Sequence, residues 1–199
     1  RDAAGERLYQ ELMQRATPSS RMVPARRLMV HYQRTQQRSK LQRLFESLVK
    51  STNNPAEAYL AYGDVLAQDD PEQALQAYRA AREHAGDAAG VWYRVAEALH
   101  RMGHSEQAAQ ELATYLQEHP DNEQLRNQRL RFLIESRRPE GVRQAAEELD
   151  ALLTQHAEDS VLLTLRGQAS AILGDLAAAE TYFDRAVANS AESYVRPRL

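Results

Sequence analysis

Three stretches of this sequence are variations on one string. Asp69-Asp70-Pro71-Glu72-Gln73-Ala74-Leu75, Gly103-His104-Ser105-Glu106-Gln107-Ala108-Ala109 and Gly174-Asp175-Leu176-Ala177-Ala178-Ala179-Glu180 each follow an apolar run with helical spacing. Each leads into a second amphipathic run: Tyr78 and Ala81 after the first, Leu112-Ala113-Thr114-Tyr115 after the second, Phe183-Asp184-Arg185-Ala186 after the third. A helix–turn–helix that recurs along a chain marks a repeat architecture. One helical hairpin cannot bury its apolar face alone, so neighbouring hairpins stack and share a core. The pattern predicts an all-α chain.

Composition agrees with that and removes other classes. Eight Gly and seven Pro in 199 residues are too few for a loop-rich or all-β chain, and 43% apolar with 27% charged residues excludes a fibrous or disordered one. With no Cys, disulfide frameworks, iron–sulfur clusters and thiol catalysis are excluded, and the redox compartment stays open. No apolar run is long enough to form a transmembrane segment. The sequence starts at Arg1 with no signal-peptide pattern, so it reads as an internal piece of a longer chain. Arg outnumbers Lys 23 to 2, as in GC-rich bacterial genomes.

The net charge of -3 hides an asymmetry. Between Arg1 and Asn54 eleven bases face four acids (Asp2, Glu6, Glu11, Glu46), a surplus of seven positive charges, and the remainder is correspondingly acidic. A basic head on an acidic body suits two different partners, or complementary ends of neighbouring copies. Arg26, Arg27, Arg34, Arg38, Lys40 and Arg43 could track phosphates. Only Tyr32 interleaves with them as an aromatic and the pI is near 6, so nucleic acid is not the expected partner.

The chain carries no phosphate-binding Gly-rich loop, no Gly-x-Ser-x-Gly and no His-Glu-x-x-His. His100 and His104 have the i, i+4 spacing of a helical metal pair, but Gly103 lies between them and a third ligand is missing, so no metal and no cofactor are expected. Asp69-Asp70 and Glu147-Glu148 read as helix-start and solvated acids rather than as a general acid and base.

These residues resemble the tetratricopeptide repeat, a helix–turn–helix of about 34 residues. Residues 89–122 carry it most fully: Trp92 at place 4, Ala96 at 8, Leu99 at 11, Gly103 at 15, Ala108 at 20, Leu112 at 24 and Pro120 at 32, with Tyr115 where a small residue is usual. Residues 56–88 match with Tyr59, Tyr62, Gly63, Leu66, Ala74, Tyr78 and Ala81, and residues 160–193 with Leu163, Gly167, Gly174, Ala179, Phe183 and Ala186. Residues 22–55 lack the turn Gly but keep Leu28, Met29, Tyr32, Leu41, Phe45 and Leu48. Residues 123–159 are degenerate, with a longer turn through Arg138-Pro139-Glu140-Gly141. Residues 1–21 read as a helix of a truncated preceding repeat, and 194–199 as a tail or the start of a next one. The resemblance implies an α-solenoid of antiparallel hairpins wound as a superhelix. Trp92 and most of the tyrosines then belong to the core. Neither end shows a polar capping helix, which predicts further repeats or end-to-end self-association.

In the resembled family first helices line a concave groove. Carried over place by place, that groove holds Arg26, Gln33, Leu60, Asp64, Tyr93, Glu97, His100, Asn127 and Arg131, with Arg34 at its edge. These depart from the Lys and Asn clamp by which some members grip a peptide's C-terminal carboxylate. The groove suits another protein or peptide, as a helix or extended segment of basic and apolar character. The resemblance thus implies a non-catalytic protein–protein interaction scaffold. Family analogy extends this to the periplasmic part of a bacterial exopolysaccharide export machine at the outer membrane, and so favours the periplasm over the cytoplasm. Two other classes stay open: a regulatory domain that senses a ligand or peptide, and a polyanion binder acting through the basic N-terminal repeat.

Overall fold

Short polar side chains just ahead of apolar runs start several of the helices. Asp70 accepts the backbone N–H of Gln73 at 3.0 Å, Asn122 that of Leu125 at 3.0 Å, and Asp159 those of Val161 and Leu162. Each satisfies donors that the first helical turn leaves open. Pro71 and Pro139 sit at the first helical position, where a missing N–H costs nothing. Gly174 ends its helix in the left-handed region at φ 89°, and Gly103 turns the chain at φ 83°. Where the sequence offers no glycine, Gln36 and Arg137 take the same region at φ 56° and 55°.

The computed structural model describes residues 2–17, 20–52 and 54–195, and among these the chain forms helices and connections with no strand. The expected tail at 194–199 lies outside the described residues from 196 on, and so do positions 18 and 19 of the expected 1–21 helix. The fold is all-α, of the helical repeat solenoid class. The chain divides into two compact units, Arg1–Ala98 and Leu99–Leu199.

The first unit contains α1 (Asp2–Arg15), α2 (Met22–Arg34), α3 (Arg38–Ser51), α4 (Ala56–Leu66), α5 (Pro71–Ala85) and most of α6 (Ala89–Arg101). Here α1 and α3 pack on α2, α4 packs on α2 and α3, and α4 and α5 form a close pair. Leu28, Met29 and Leu41 are fully buried. The second unit contains the end of α6, then α7 (Ser105–Glu118), α8 (Glu123–Glu135), α9 (Pro139–Gln155), α10 (Ser160–Leu173) and α11 (Leu176–Val195). Here α8 packs on α7, α9 and α10, while α10 pairs closely with α11. Its core is Leu112, Leu130, Ile134, Val142, Leu149, Leu163 and Leu165. In each unit a first helix lies against the next first helix, α2 on α4 and α8 on α10, as stacking requires.

The two close pairs use one device. Gly63 on α4 faces the ring of Tyr78 on α5, and a Cβ on that glycine would lie 2.5 Å from the ring. Gly167 on α10 faces Phe183 on α11, where a Cβ would lie 2.7 Å away. The small residues expected at the other contact places, Ala74, Ala96, Ala108 and Ala179, are all buried.

Three expectations are corrected. Trp92 is half-buried rather than core, and the guanidinium of Arg82 lies over its ring at 4.7 Å. Among the described tyrosines only Tyr32, Tyr78 and Tyr115 are buried, because tyrosines on hairpin edges keep their hydroxyls near water. Glu148 is not merely solvated: it accepts from Arg129 of α8 at 2.6 Å and ties α8 to α9.

Candidate functional site

In the first unit, three helices meet at the carboxylate of Asp64 on α4. Arg26 of α2 donates to it at 3.0 Å, and Arg94 Nε of α6 lies 3.5 Å away. The Tyr78 hydroxyl of α5 donates to Asp64 Oδ1 at 3.0 Å. Arg94 also donates to Glu97 at 3.3 Å, one helical turn along α6. The result is a row of alternating charge, Arg26–Asp64–Arg94–Glu97. Gln33 of α2 donates to Asp69 in the turn between α4 and α5.

Burial raises the Tyr78 phenol far above its usual range, and the negative charge of Asp64 and the hydrogen bond to it add to the effect. Tyr78 therefore stays a donor and holds Asp64 in place. No nucleophile faces a base along this row. Each charged group meets an opposite charge within the unit. Arg26, half-exposed at 53%, is the member most open to a partner.

The structure brings together Arg26, Asp64 and Glu97 of the sequence-assigned groove. Leu60 and Tyr93 are half-buried in the same unit, while the Arg34 side chain is exposed and makes no hydrogen bond or ion pair among the described residues. Arg94, Tyr78 and Asp69 are not among the residues assigned to the groove from sequence. Arg94 had a legible signal in its i, i+3 spacing to Glu97, and Tyr78 in the rule that a buried phenol needs an acceptor.

The second unit holds His100, Asn127 and Arg131. The His100 ring stacks on Phe132 at 4.7 Å, with Nδ1 3.0 Å from Ser105 Oγ and Nε2 3.2 Å from a Glu135 carboxylate oxygen. His100 thereby links the end of α6 to α7 and α8. Both its nitrogens are engaged, while His104 is exposed just before α7, so the two histidines form no metal pair. Asn127 Oδ1 is buried without a hydrogen-bond partner, and Arg131 is exposed. Farther along, Arg166 of α10 clasps α9 and α11. It donates to both carboxylate oxygens of Asp150 at 2.7 and 3.1 Å and lies over the Tyr182 ring at 5.0 Å.

The basic N-terminal cluster is partly spent. Lys40 of α3 donates to Glu6 of α1 at 2.8 and 3.1 Å, and that bond holds the Glu6 carboxyl below its usual value. Tyr32 also donates to Glu6, at 3.0 Å. With Arg26 on Asp64, two of the six cations that might have tracked phosphates are ion-paired inside the chain, which thins the polyanion surface.

Two family models described as tetratricopeptide repeat match the sequence, one over residues 65–131 and the other over 140–194. No curated protein matches it. Several solved structures share the fold at low identity. One is MamA of MSR-1, 14% identical with TM-score 0.58, covering 87% of this chain and 98% of its own. Another is YrrB, described as a TPR protein with an unusual peptide-binding site, 13% identical with TM-score 0.59 and covering 94% of each chain. The pilF of Pseudomonas aeruginosa is 16% identical with TM-score 0.53, covering 84% of this chain and 76% of its own.

Proposed function

This chain belongs to the tetratricopeptide repeat family, and we propose from there that it is a non-catalytic scaffold whose first-helix surfaces hold a segment of another protein. The observation that supports this most is the ordered row Arg26–Asp64–Arg94–Glu97, drawn from α2, α4 and α6 and braced from behind by Tyr78. A charged row beside the half-buried Leu60 and Tyr93 suits a peptide that carries charges of both signs and an apolar anchor. Gln33 and Arg34 are the remaining members of this proposed surface in the first unit; in the second unit His100, Asn127 and Arg131 are proposed as partner-binding residues by themselves.

A random peptide library panned against the purified chain tests the reading. Selected peptides should share a charge pattern, and Arg26→Glu and Tyr93→Ala should each weaken them about tenfold. Peptides with reversed charge should regain affinity for Arg26→Glu. Selection of no sequence above background overturns the reading.

Three finer parts belong to the same proposal. The hairpins follow the repeat boundaries 22–55, 56–88, 89–122, 123–159 and 160–193. The chain serves an export assembly of the bacterial envelope, which fractionation of cells expressing the full-length protein tests directly: a purely cytoplasmic signal would remove it. Copies of the chain also associate through their end helices.

A further inference from the structure

We propose that the apolar face of α11 in one copy docks on the outward face of α1 in a second copy. This names the faces for the self-association proposed above and rests on that reading.

The two faces are exposed apolar stripes on the first and last described helices. On α11, Leu176, Phe183 and Val187 recur at i, i+7 and i+11, which places them on one side of the helix. They are 70%, 36% and 69% exposed, while Ala179 and Ala186 on the adjoining side of the helix are buried. Ile172 and Leu173 at the end of α10 extend the apolar surface, each 39% exposed. On α1, Leu8 and Leu12 stand one turn apart and are 53% and 45% exposed. Clustered exposed apolar side chains of this kind mark contact surfaces.

Charge selects the pairing. Glu180 and Asp184 flank the α11 stripe, exposed and with no side-chain hydrogen bond or ion pair among the described residues. The only described base on α11, Arg185, reaches away to the carbonyl of Ala157 at 2.8 Å. On α1, Arg7 and Arg15 are exposed and make no side-chain hydrogen bond or ion pair among the described residues, with Glu11 as the one acid between them. A symmetric α11–α11 contact would set Glu180 and Asp184 against their own copies, and an α1–α1 contact would do the same with Arg7 and Arg15. The unlike pairing sets acid against base and leucine against valine and phenylalanine. Because the joined faces differ, every pair leaves one α1 and one α11 free, so assembly continues past two copies unless a ring closes.

Sedimentation velocity over a concentration series of the purified chain tests this, with far-ultraviolet circular dichroism to show that variants fold. Both substitutions fall at exposed positions. The wild-type chain should form species larger than a dimer, and salt should weaken them. Val187→Asp and Leu12→Asp should each be monomeric alone, because each destroys one of the two faces. Mixed together they should form a dimer and nothing larger, because each supplies the face the other lacks. If Leu12→Asp still associates while Val187→Asp does not, copies meet through α11 symmetrically; this inference falls and self-association stands. If the wild-type chain is monomeric at every concentration, both fall.

Discussion

The hairpins α4–α5 and α10–α11 close on the same contact and end in opposite states. Each presses an aromatic ring against a glycine. In the first, Tyr78 is 3% exposed and its hydroxyl is tied to Asp64. In the second, Phe183 is 36% exposed, and its ring has no polar anchor. The first ring is locked beneath a charged row, and the second lies on an open face. A shared backbone device thus underlies a charged row in one place and an open apolar face in another.

The largest expected effect tests the glycines. Gly63→Ala should destabilise the chain by ~2–3 kcal/mol, since a buried ring has nowhere to move. Gly167→Ala should cost less than half of that, because Phe183 can turn toward solvent beside it. Chemical denaturation midpoints measure both, and equal losses would break the comparison. Next, Tyr78→Phe should cost ~1–2 kcal/mol by removing the donor from Asp64. Phe183→Tyr should leave stability unchanged.

The Tyr78 phenol also predicts a pH dependence. Its folded value lies above the unfolded one, so its contribution is complete below the unfolded tyrosine value near ~10 and is lost as pH rises beyond it. Alkaline denaturation should therefore be shallower in Tyr78→Phe than in the wild type. Glu6 works in the other direction. Its carboxyl is held down by Lys40, so its contribution is present above the usual glutamate value and fades as pH falls through the lowered one. Lys40→Met should flatten the acid limb of a stability curve. The smallest effect concerns two turns. Gln36→Gly and Arg137→Gly should each stabilise by ~0.5–1 kcal/mol, since both residues sit at positive φ where a side chain strains the backbone.

What could be read from the sequence follows from distance along the chain. Gly103 and Gly174 announced left-handed turns, and Ala74, Ala96, Ala108 and Ala179 announced close contacts, because a helix fixes which neighbours three or four residues apart share a face. The hub at Asp64 was only half legible. Arg26 lies 38 residues from Asp64 in sequence, and their approach to 3.0 Å depends on how one hairpin seats on the next, which no local spacing states. Trp92 misled for the same reason. Its place on the apolar stripe was right, but the long side chain of Arg82 reached over the ring from another helix. The turns at Gln36 and Arg137 carried no glycine and so gave no warning of their conformation.

The bond between Tyr78 and Asp64 bears on how tightly a partner could be held. A carboxylate fixed from three helices has little rotamer freedom left to lose when a peptide arrives. Ordering that surface is then a cost met during folding, so more of each contact with an incoming segment survives as affinity. Loosening the phenol should accordingly show itself less in which segments are chosen than in how quickly they leave.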